Sequence, residues 1–390
     1  MMMTDLTDRR KLRMGMVGGG QGAFIGEVHR IAAAMDGWIE LVCGAFSSSA
    51  DRSKASGRSL LLPDDRVYGS YQEMIESESR LPEGERMDFI SIVTPNNMHF
   101  GPAMMALEHG FHVVLEKPMA FNLEEARQLQ QKVTETGCSL LLTHTYVGYP
   151  MVKEARHLVR EGKLGAIRKI YVEYPQGWLS KLSEVTGNKQ AAWRTDPQQS
   201  GQSGCMGDIG THALHLAEYI SGLRATRLCA SLQTFVAGRK LDDDGSVLLQ
   251  FDNGTSGVLM ASQVAAGEEN ALKIRIYGEN GGIEWNQQEP NTLLVKWLEQ
   301  PTQVYRASAA YLSEEARAFC RTPAGHPEGY LEAFANLYRG LALSLQPWRN
   351  EGKAGPYDFP GVEDGVRGMA FLDCLLKSNE SNDKWTDFTV

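Results

Sequence analysis

The chain has 390 residues, 42% hydrophobic and 22% charged, which suits a soluble protein of about two to three domains with a sizeable core. Its formal net charge of −9 argues against broad contact with nucleic acid or an anionic membrane, because both need a basic face. The cysteines (Cys43, Cys138, Cys205, Cys229, Cys320, Cys374) include no C-x-x-C pair, so they do not read as a disulfide framework and a reducing compartment is expected. No apolar run reaches the roughly 18 residues of a membrane span. The twin arginine Arg9-Arg10 has neither an h-region nor a small-residue cleavage site behind it. The start therefore reads as a short polar leader on a cytoplasmic protein.

In chain order, apolar runs at 12–17, 39–46, 88–93, 112–116 and 138–144 alternate with helix-like stretches near 26–36, 71–79, 98–109 and 122–136. Asn122, with Glu125 three residues on, predicts a capping box at the start of the last helix. Buried strands alternating with helices predict a doubly wound parallel sheet, an α/β domain over 1–147. From 148 to 390 the pattern changes. A helix near 151–161 precedes "AIRKIYVEY", then a polar glycine-rich stretch, then "GDIGTHALHLAEYI" with helical spacing. Runs rich in β-branched and aromatic residues follow at 226–237, 245–251, 254–263 and 271–278, with "FDNGT" and "GENGGIEW" placed as hairpin turns. A second, α+β domain with a mostly antiparallel sheet is expected. Two amphipathic helices close the chain and are expected to pack back on the first domain.

Four of the five positions from Gly18 to Gly22 are glycine, between a predicted strand and a predicted helix. In that context glycines let the backbone approach a pyrophosphate, and the helix N-terminus offers free N–H groups to it. The alternative is a merely flexible turn. Gly18 and Gly20 fit the first two positions of G-x-G-x-x-G, with Gln21 and Gly22 completing the turn. The third is matched by Gly26, about three residues late. The second strand ends in "GAFSSSADRSK", with no acid between Ala45 and Ala50 to hold a ribose 2′-hydroxyl. Ser47, Ser48 and Ser49, with Arg52 and Lys54, suit a 2′-phosphate instead, which favours NADP over NAD. A serine-rich helix cap with a solvated arginine would leave that choice open.

Ligands of open parallel sheets lie outside the carboxyl ends of the strands. One strand there runs into "TPNNMH" (94–99), and another ends in Glu116, Lys117 and Pro118. Charges directly after an apolar run are either a surface ion pair or part of a site. These residues carry a resemblance. "VTPNNMH…VVLEKPMAFNLEEARQL" and the distant "GCMGDIGTHALHLAEYISG" resemble the Gfo/Idh/MocA family, the glucose–fructose oxidoreductase and inositol dehydrogenase group. The likeness runs from the glycine turn through "YPQGW" and "AAWR" to "EDGVRGM". It implies a Rossmann domain, a C-terminal α/β domain whose open sheet face makes a homodimer or homotetramer, and hydride transfer between nicotinamide C4 and a sugar or polyol carbon. It places the lysine of the EKP motif at Lys117, and the aspartate and histidine of the second motif at Asp208 and His212.

The chemistry of these three is independently reasonable. Alcohol oxidation needs a base for the hydroxyl proton, and imidazole titrates near neutral pH. On a helix, Asp208 and His212 are four apart and share a face, so Asp208 could orient the ring or accept a sugar hydroxyl. Lys117 can hold charge on the reacting oxygen. His212 is assigned as acid/base and Lys117 as its electrostatic partner, with the reverse left open. Asp208, His212 and His215 also have helical metal-ligand spacing, but hydride transfer needs no metal and none is expected. The resemblance further places Thr94, Pro95, Asn96 and His99 near the nicotinamide ribose, with Glu116 beside them, while His99 could equally be an N-cap or first-turn residue of the next helix. Tyr146, Trp193 and Arg194 are substrate candidates, since an indole face and a guanidinium suit a sugar. Trp193 could equally be core or interface, and His326 is unplaced. The leading reading is an NAD(P)-dependent oxidoreductase of a sugar, cyclitol or sugar derivative. A non-catalytic dinucleotide sensor on the same fold is a second. A reductase of a non-sugar substrate such as a tetrapyrrole is a third and would need a more apolar pocket.

Overall fold

The computed structural model describes residues 10–351 and 358–390. The leader up to Arg9 lies outside the described residues. The apolar runs of the first part form one parallel sheet of β1 (Leu12–Gly18), β2 (Ile39–Ala45), β3 (Phe89–Val93), β4 (His112–Leu115) and β5 (Leu140–Leu142). Their order is β2-β1-β3-β4-β5, the doubly wound arrangement. Every residue of β3, β4 and β5 is buried, because helices cover both faces. The helices are α1 (Phe24–Ala34), α2 (Ala50–Ser59), α3 (Tyr71–Ser79), α4 (Phe100–Glu108) and α5 (Leu123–Thr136). Asn122 caps α5 by accepting the Glu125 N–H at 2.9 Å, while the Glu125 carboxylate takes the N–H of Phe121.

One helix was not expected. The α2 sequence, ADRSKASGRS, has no apolar stripe. It packs through small residues instead. Ser53, Ser56 and Gly57 are its buried face, and a Cβ on Gly57 would lie 2.3 Å from Val67. The Ser53 hydroxyl accepts the Phe46 N–H at 2.9 Å and donates to the Tyr68 carbonyl at 2.7 Å. Packing of this kind leaves no hydrophobic periodicity to read.

Beyond residue 148 come α6 (Pro150–Arg160), β6 (Ile167–Pro175), α7 (Lys189–Arg194), α8 (Pro197–Ser200) and α9 (Thr211–Ser221). A large sheet follows, with β7 (Ala225–Gln233), β8 (Asp244–Phe251), β9 (Ser256–Ser262), β10 (Lys273–Gly278), β11 (Gly281–Asn286), β12 (Thr292–Trp297) and β13 (Gln303–Arg306). The chain ends with α10 (Glu314–Ala318), α11 (Tyr330–Glu351), α12 (Val362–Glu380) and β14 (Thr386–Asp387). The nine strands run β13-β12-β11-β10-β6-β9-β8-β7-β14, antiparallel except for the β6–β9 pair. Alternation is clear: Ile170, Val172 and Tyr174 of β6 and Val247, Leu249 and Phe251 of β8 are buried, and their neighbours are more open. The expected strand 226–237 stops at Gln233 because Asp243 accepts the N–H groups of Phe235 and Val236 at 2.8 and 2.9 Å and turns the chain. Helix α11 lies against α1, and α12 against α5, so both closing helices reach the first sheet's layer. Among the described residues no helix is long and apolar enough to cross a membrane.

Candidate active site

A cavity of about 1360 Å³ opens beyond the carboxyl ends of the parallel strands and is walled on its other side by β6, α7 and the start of α9. The glycine turn forms one end. Gly18 and Gly22 both have φ of +81°, a region open to glycine at no steric cost. Gly26 plays the packing role expected of it. A Cβ there would lie 2.3 Å from the Gly19 Cα, so helix and turn touch backbone to backbone. A Cβ on Gly20 would meet the Phe46 carbonyl at 2.7 Å, whereas one on Gly22 would meet nothing within 4 Å. The turn is thus tight behind and open in front. Among the described residues no side chain caps α1, which leaves its first N–H groups to an anion. This cradle fits a dinucleotide pyrophosphate.

Gln21, Ser47, Ser48 and Arg52 line the same end. Arg52 is exposed, and its guanidinium has no ion pair or hydrogen bond among the described residues. Thr94, Pro95 and Asn96 line the middle. Asn96 donates to the Ser200 carbonyl at 2.9 Å, tying this loop to α8. His99 corrects the expectation made for it. It is fully buried off the cavity wall, with Nδ1 2.8 Å from the Pro118 carbonyl and Nε2 2.9 Å from the Thr94 carbonyl. It braces two loops that carry site residues and does not line the cavity.

Glu116 and Lys117 leave the tip of β4 in different directions. Glu116 Oε1 accepts from His29 Nε2 at 2.9 Å and from the Thr143 hydroxyl at 2.7 Å. Burial opposes its ionisation, but His29, Lys117 and Thr143 outweigh burial and hold the carboxyl at about 2. His29 is in turn 2.7 Å from the Tyr338 hydroxyl on α11. Lys117 Nζ reaches across to the second half of the molecule. It donates to Asp208 Oδ1 at 2.6 Å and to the Asp208 carbonyl at 2.8 Å.

Asp208 lies in a single π-helical turn, Met206–Gly210, that leads into α9. Asp242 builds that turn. Its carboxylate accepts from the Ser203 hydroxyl and from the N–H groups of Gly204 and Met206, all at 2.8–2.9 Å. Asp208 Oδ2 accepts from Gln263 at 2.8 Å and has the Arg194 Nε at 3.3 Å. Burial opposes its charge, yet the Lys117 ammonium and the Arg194 guanidinium hold the carboxyl well below the usual carboxylate range. Among the described residues no hydrogen bond joins Asp208 to His212.

His212 is 7% exposed and lines the cavity. Its Nδ1 is 3.2 Å from His144 Nδ1, while its Nε2 has no protein partner among the described residues. Burial pushes its pKa well below the ordinary value, and the Lys117 charge pushes in the same direction. The Tyr146 ring meets His212 edge-on at 4.9 Å. The Tyr146 hydroxyl joins a polar wall with Tyr174 and Asn270, and Asn270 also accepts from Tyr174 at 2.7 Å and Gln176 at 2.6 Å. Arg194 lies over the Trp193 ring at 4.2 Å, and both line the cavity. His215 is stacked on His144 and has Nε2 3.5 Å from Asp364. His326 is exposed and lies off the cavity. No group of three or more histidine, cysteine or acidic side chains is arranged to hold a metal among the described residues. Sequence reasoning missed His144, Tyr174, Gln176, Gln263 and Asn270. The one local signal was the acid run at 242–244, whose first member shapes the π turn.

A dinucleotide cradle at one end of a cavity, with a lysine–carboxylate pair and an imidazole at the other, is the architecture of a nicotinamide-dependent oxidoreductase. Comparison with known proteins gives the particular group. Residues 12–144 match the oxidoreductase family with an NAD-binding Rossmann fold, and residues 152–284 match the GFO/IDH/MocA C-terminal domain. The chain belongs to the Gfo/Idh/MocA family and is an NAD(P)-dependent oxidoreductase. It is 30% identical over 384 residues to the uncharacterized oxidoreductase YfiI of Bacillus subtilis (strain 168), covering 97% of each chain. It is 26% identical over 407 residues to levoglucosan dehydrogenase of Pseudarthrobacter phenanthrenivorans, covering 97% of this chain and 98% of that one. Among solved structures it is similar to an inositol dehydrogenase homolog from Azotobacter vinelandii complexed with NAD+, at a TM-score of 0.93 and 35% identity, covering 97% of this chain and 98% of that one.

Proposed function

We propose that this enzyme interconverts a secondary alcohol and a ketone on a sugar, cyclitol or sugar derivative. One observation carries the reading. The Lys117–Asp208 pair and the free edge of His212 share a cavity with the glycine cradle. The relatives named for levoglucosan and inositol support the substrate class. The polar wall of Tyr146, Tyr174, Gln176 and Asn270 suits a polyhydroxylated ligand better than a tetrapyrrole. Gly18, Gly20, Gln21 and Gly22 would hold the pyrophosphate, with Thr94, Pro95 and Asn96 along the nicotinamide half. When bound, the nicotinamide supplies the hydride acceptor or donor. His212 Nε2 takes the hydroxyl proton in oxidation and returns it in reduction. Lys117, fixed by Asp208, holds the partial charge on the reacting oxygen. Trp193 and Arg194 bind the sugar from the same wall, beside Asp208. The test is a panel of sugars and inositols with NAD and NADP, read by nicotinamide fluorescence. Oxidation or reduction of at least one polyol is expected. Tight dinucleotide binding with no turnover on any member would favour a sensor.

The free guanidinium of Arg52 beside Ser47 and Ser48 supports NADP as the preferred dinucleotide. Arg52→Ala is expected to weaken NADP binding by about ten- to a hundredfold, the cost of a charged hydrogen bond, and to leave NAD binding nearly unchanged. Equal losses for both would refute the preference. The more open face of the nine-stranded sheet, where Leu248 is 44% exposed, supports a homodimer or homotetramer. A monomer in light scattering would exclude it. The unpaired cysteines support a cytoplasmic setting; a disulfide in protein isolated from its host would count against it.

A further inference from the structure

We infer that His144 is a positioning residue for His212, setting through its Nδ1 the tautomer and ring angle with which His212 meets the substrate. The inference rests on His212 being the acid/base. Asp208, the obvious orienting group, is occupied by Lys117, Gln263 and Arg194 and makes no bond to the ring. His144 makes the only protein hydrogen bond to the His212 ring among the described residues, at 3.2 Å with the rings at 81°.

His144 is itself held rigidly. It lies two residues beyond the end of β5 and is 2% exposed. Its ring stacks on His215 at 4.2 Å and 9°, and His215 is steadied by Asp364. Its neighbour Thr143 holds Glu116, so one turn supports both walls of the site.

The proton count gives the bond its meaning. Burial pushes both imidazoles well below their ordinary pKa, so the Nδ1···Nδ1 contact holds one proton between two neutral rings. His212 can accept at Nε2 only when that proton is on its own Nδ1 and His144 Nδ1 is the acceptor. His144 then carries its hydrogen on Nε2. When the substrate hydroxyl breaks its O–H bond and a new N–H bond forms at His212 Nε2, the Nδ1–H···N bond becomes charge-assisted. His144 touches neither substrate nor cofactor and gains no proton.

The test uses full-length enzyme carrying His144→Phe or His144→Asn. Phenylalanine keeps the stack and removes the acceptor. Asparagine places an amide near Nδ1 and gives up the stack. His144→Phe is expected to lower kcat about ten- to a hundredfold, the range for a misplaced catalytic group, with little change in KM or cofactor affinity. His144→Asn is expected to recover most of that loss. Wild-type kcat in His144→Phe, or equal losses in both variants, would overturn the inference and leave His144 a packing residue. Should His144→Phe fail to fold, His144→Gln replaces it, since its amide falls near Nε2; it must be slow where His144→Asn is not. His212→Ala separates the two readings. Slow His212→Ala with normal His144→Phe defeats this inference alone, and normal His212→Ala defeats the acid/base assignment together with it.

Discussion

His212→Ala is expected to lower kcat by about 10²- to 10⁴-fold, the span of general acid–base catalysis. Binding of NAD(P)H should be preserved, because the imidazole lies at the substrate end of the cavity, away from the glycine cradle. The change removes an imidazole nitrogen that faces the cavity without a protein partner among the described residues. It leaves Lys117 and Asp208 in contact with each other, so binding of the polyol is altered less than its turnover. Steady-state kinetics and a fluorescence titration on the same preparation check this. Turnover near the wild-type rate would transfer the acid/base role to Lys117. Loss of cofactor binding would show damage to the fold instead.

Lys117→Met should be nearly as severe, with a loss of about 10²- to 10³-fold in kcat, the cost of removing one preorganised donor from a developing oxyanion. A second effect follows from the pairing. Asp208 is partly buried and accepts two hydrogen bonds from Lys117 through its side chain and carbonyl. Without the ammonium, its carboxylate keeps Gln263 and the Arg194 guanidinium but loses its nearest cation. A stranded charge of this kind is destabilising. Lys117→Met should therefore lower Tm, and adding Asp208→Asn should restore part of the Tm but none of the turnover. A double variant that regained activity would mean that the lysine only neutralises Asp208.

The dinucleotide half of the site was more legible in the sequence than the substrate half, and the reason is local. Turn, helix start and strand tip are contiguous stretches, so Gly18 to Gly26 and Glu116-Lys117 announce themselves within a few residues. Even the late third glycine is explained by one contact, Gly19 against Gly26. The substrate half is assembled from β6, α7, the π turn and the loops after β9, far apart in the chain. Tyr174, Gln176, Gln263 and Asn270 look like ordinary polar residues until the nine-stranded sheet aligns them. His99 failed for the opposite reason. A histidine beside a cofactor loop looks like a ligand, but both its nitrogens are spent on carbonyls. Asp208 and His212 both line the cavity, but Asp208 lies in a π turn, which i to i+4 spacing does not foresee.

The chain from Tyr338 through His29 to Glu116 has a consequence for how the enzyme can be cut. The strand tip that presents Lys117 is anchored by a helix encoded more than two hundred residues later. A fragment ending near the join between the two sheets would carry every glycine of the cradle but would lack that anchor, leaving His29 without the Tyr338 hydroxyl and the apolar side of α1 bare. Neither half is therefore a self-sufficient module, and exchanging the first half with that of a relative would require the closing helix to be exchanged with it.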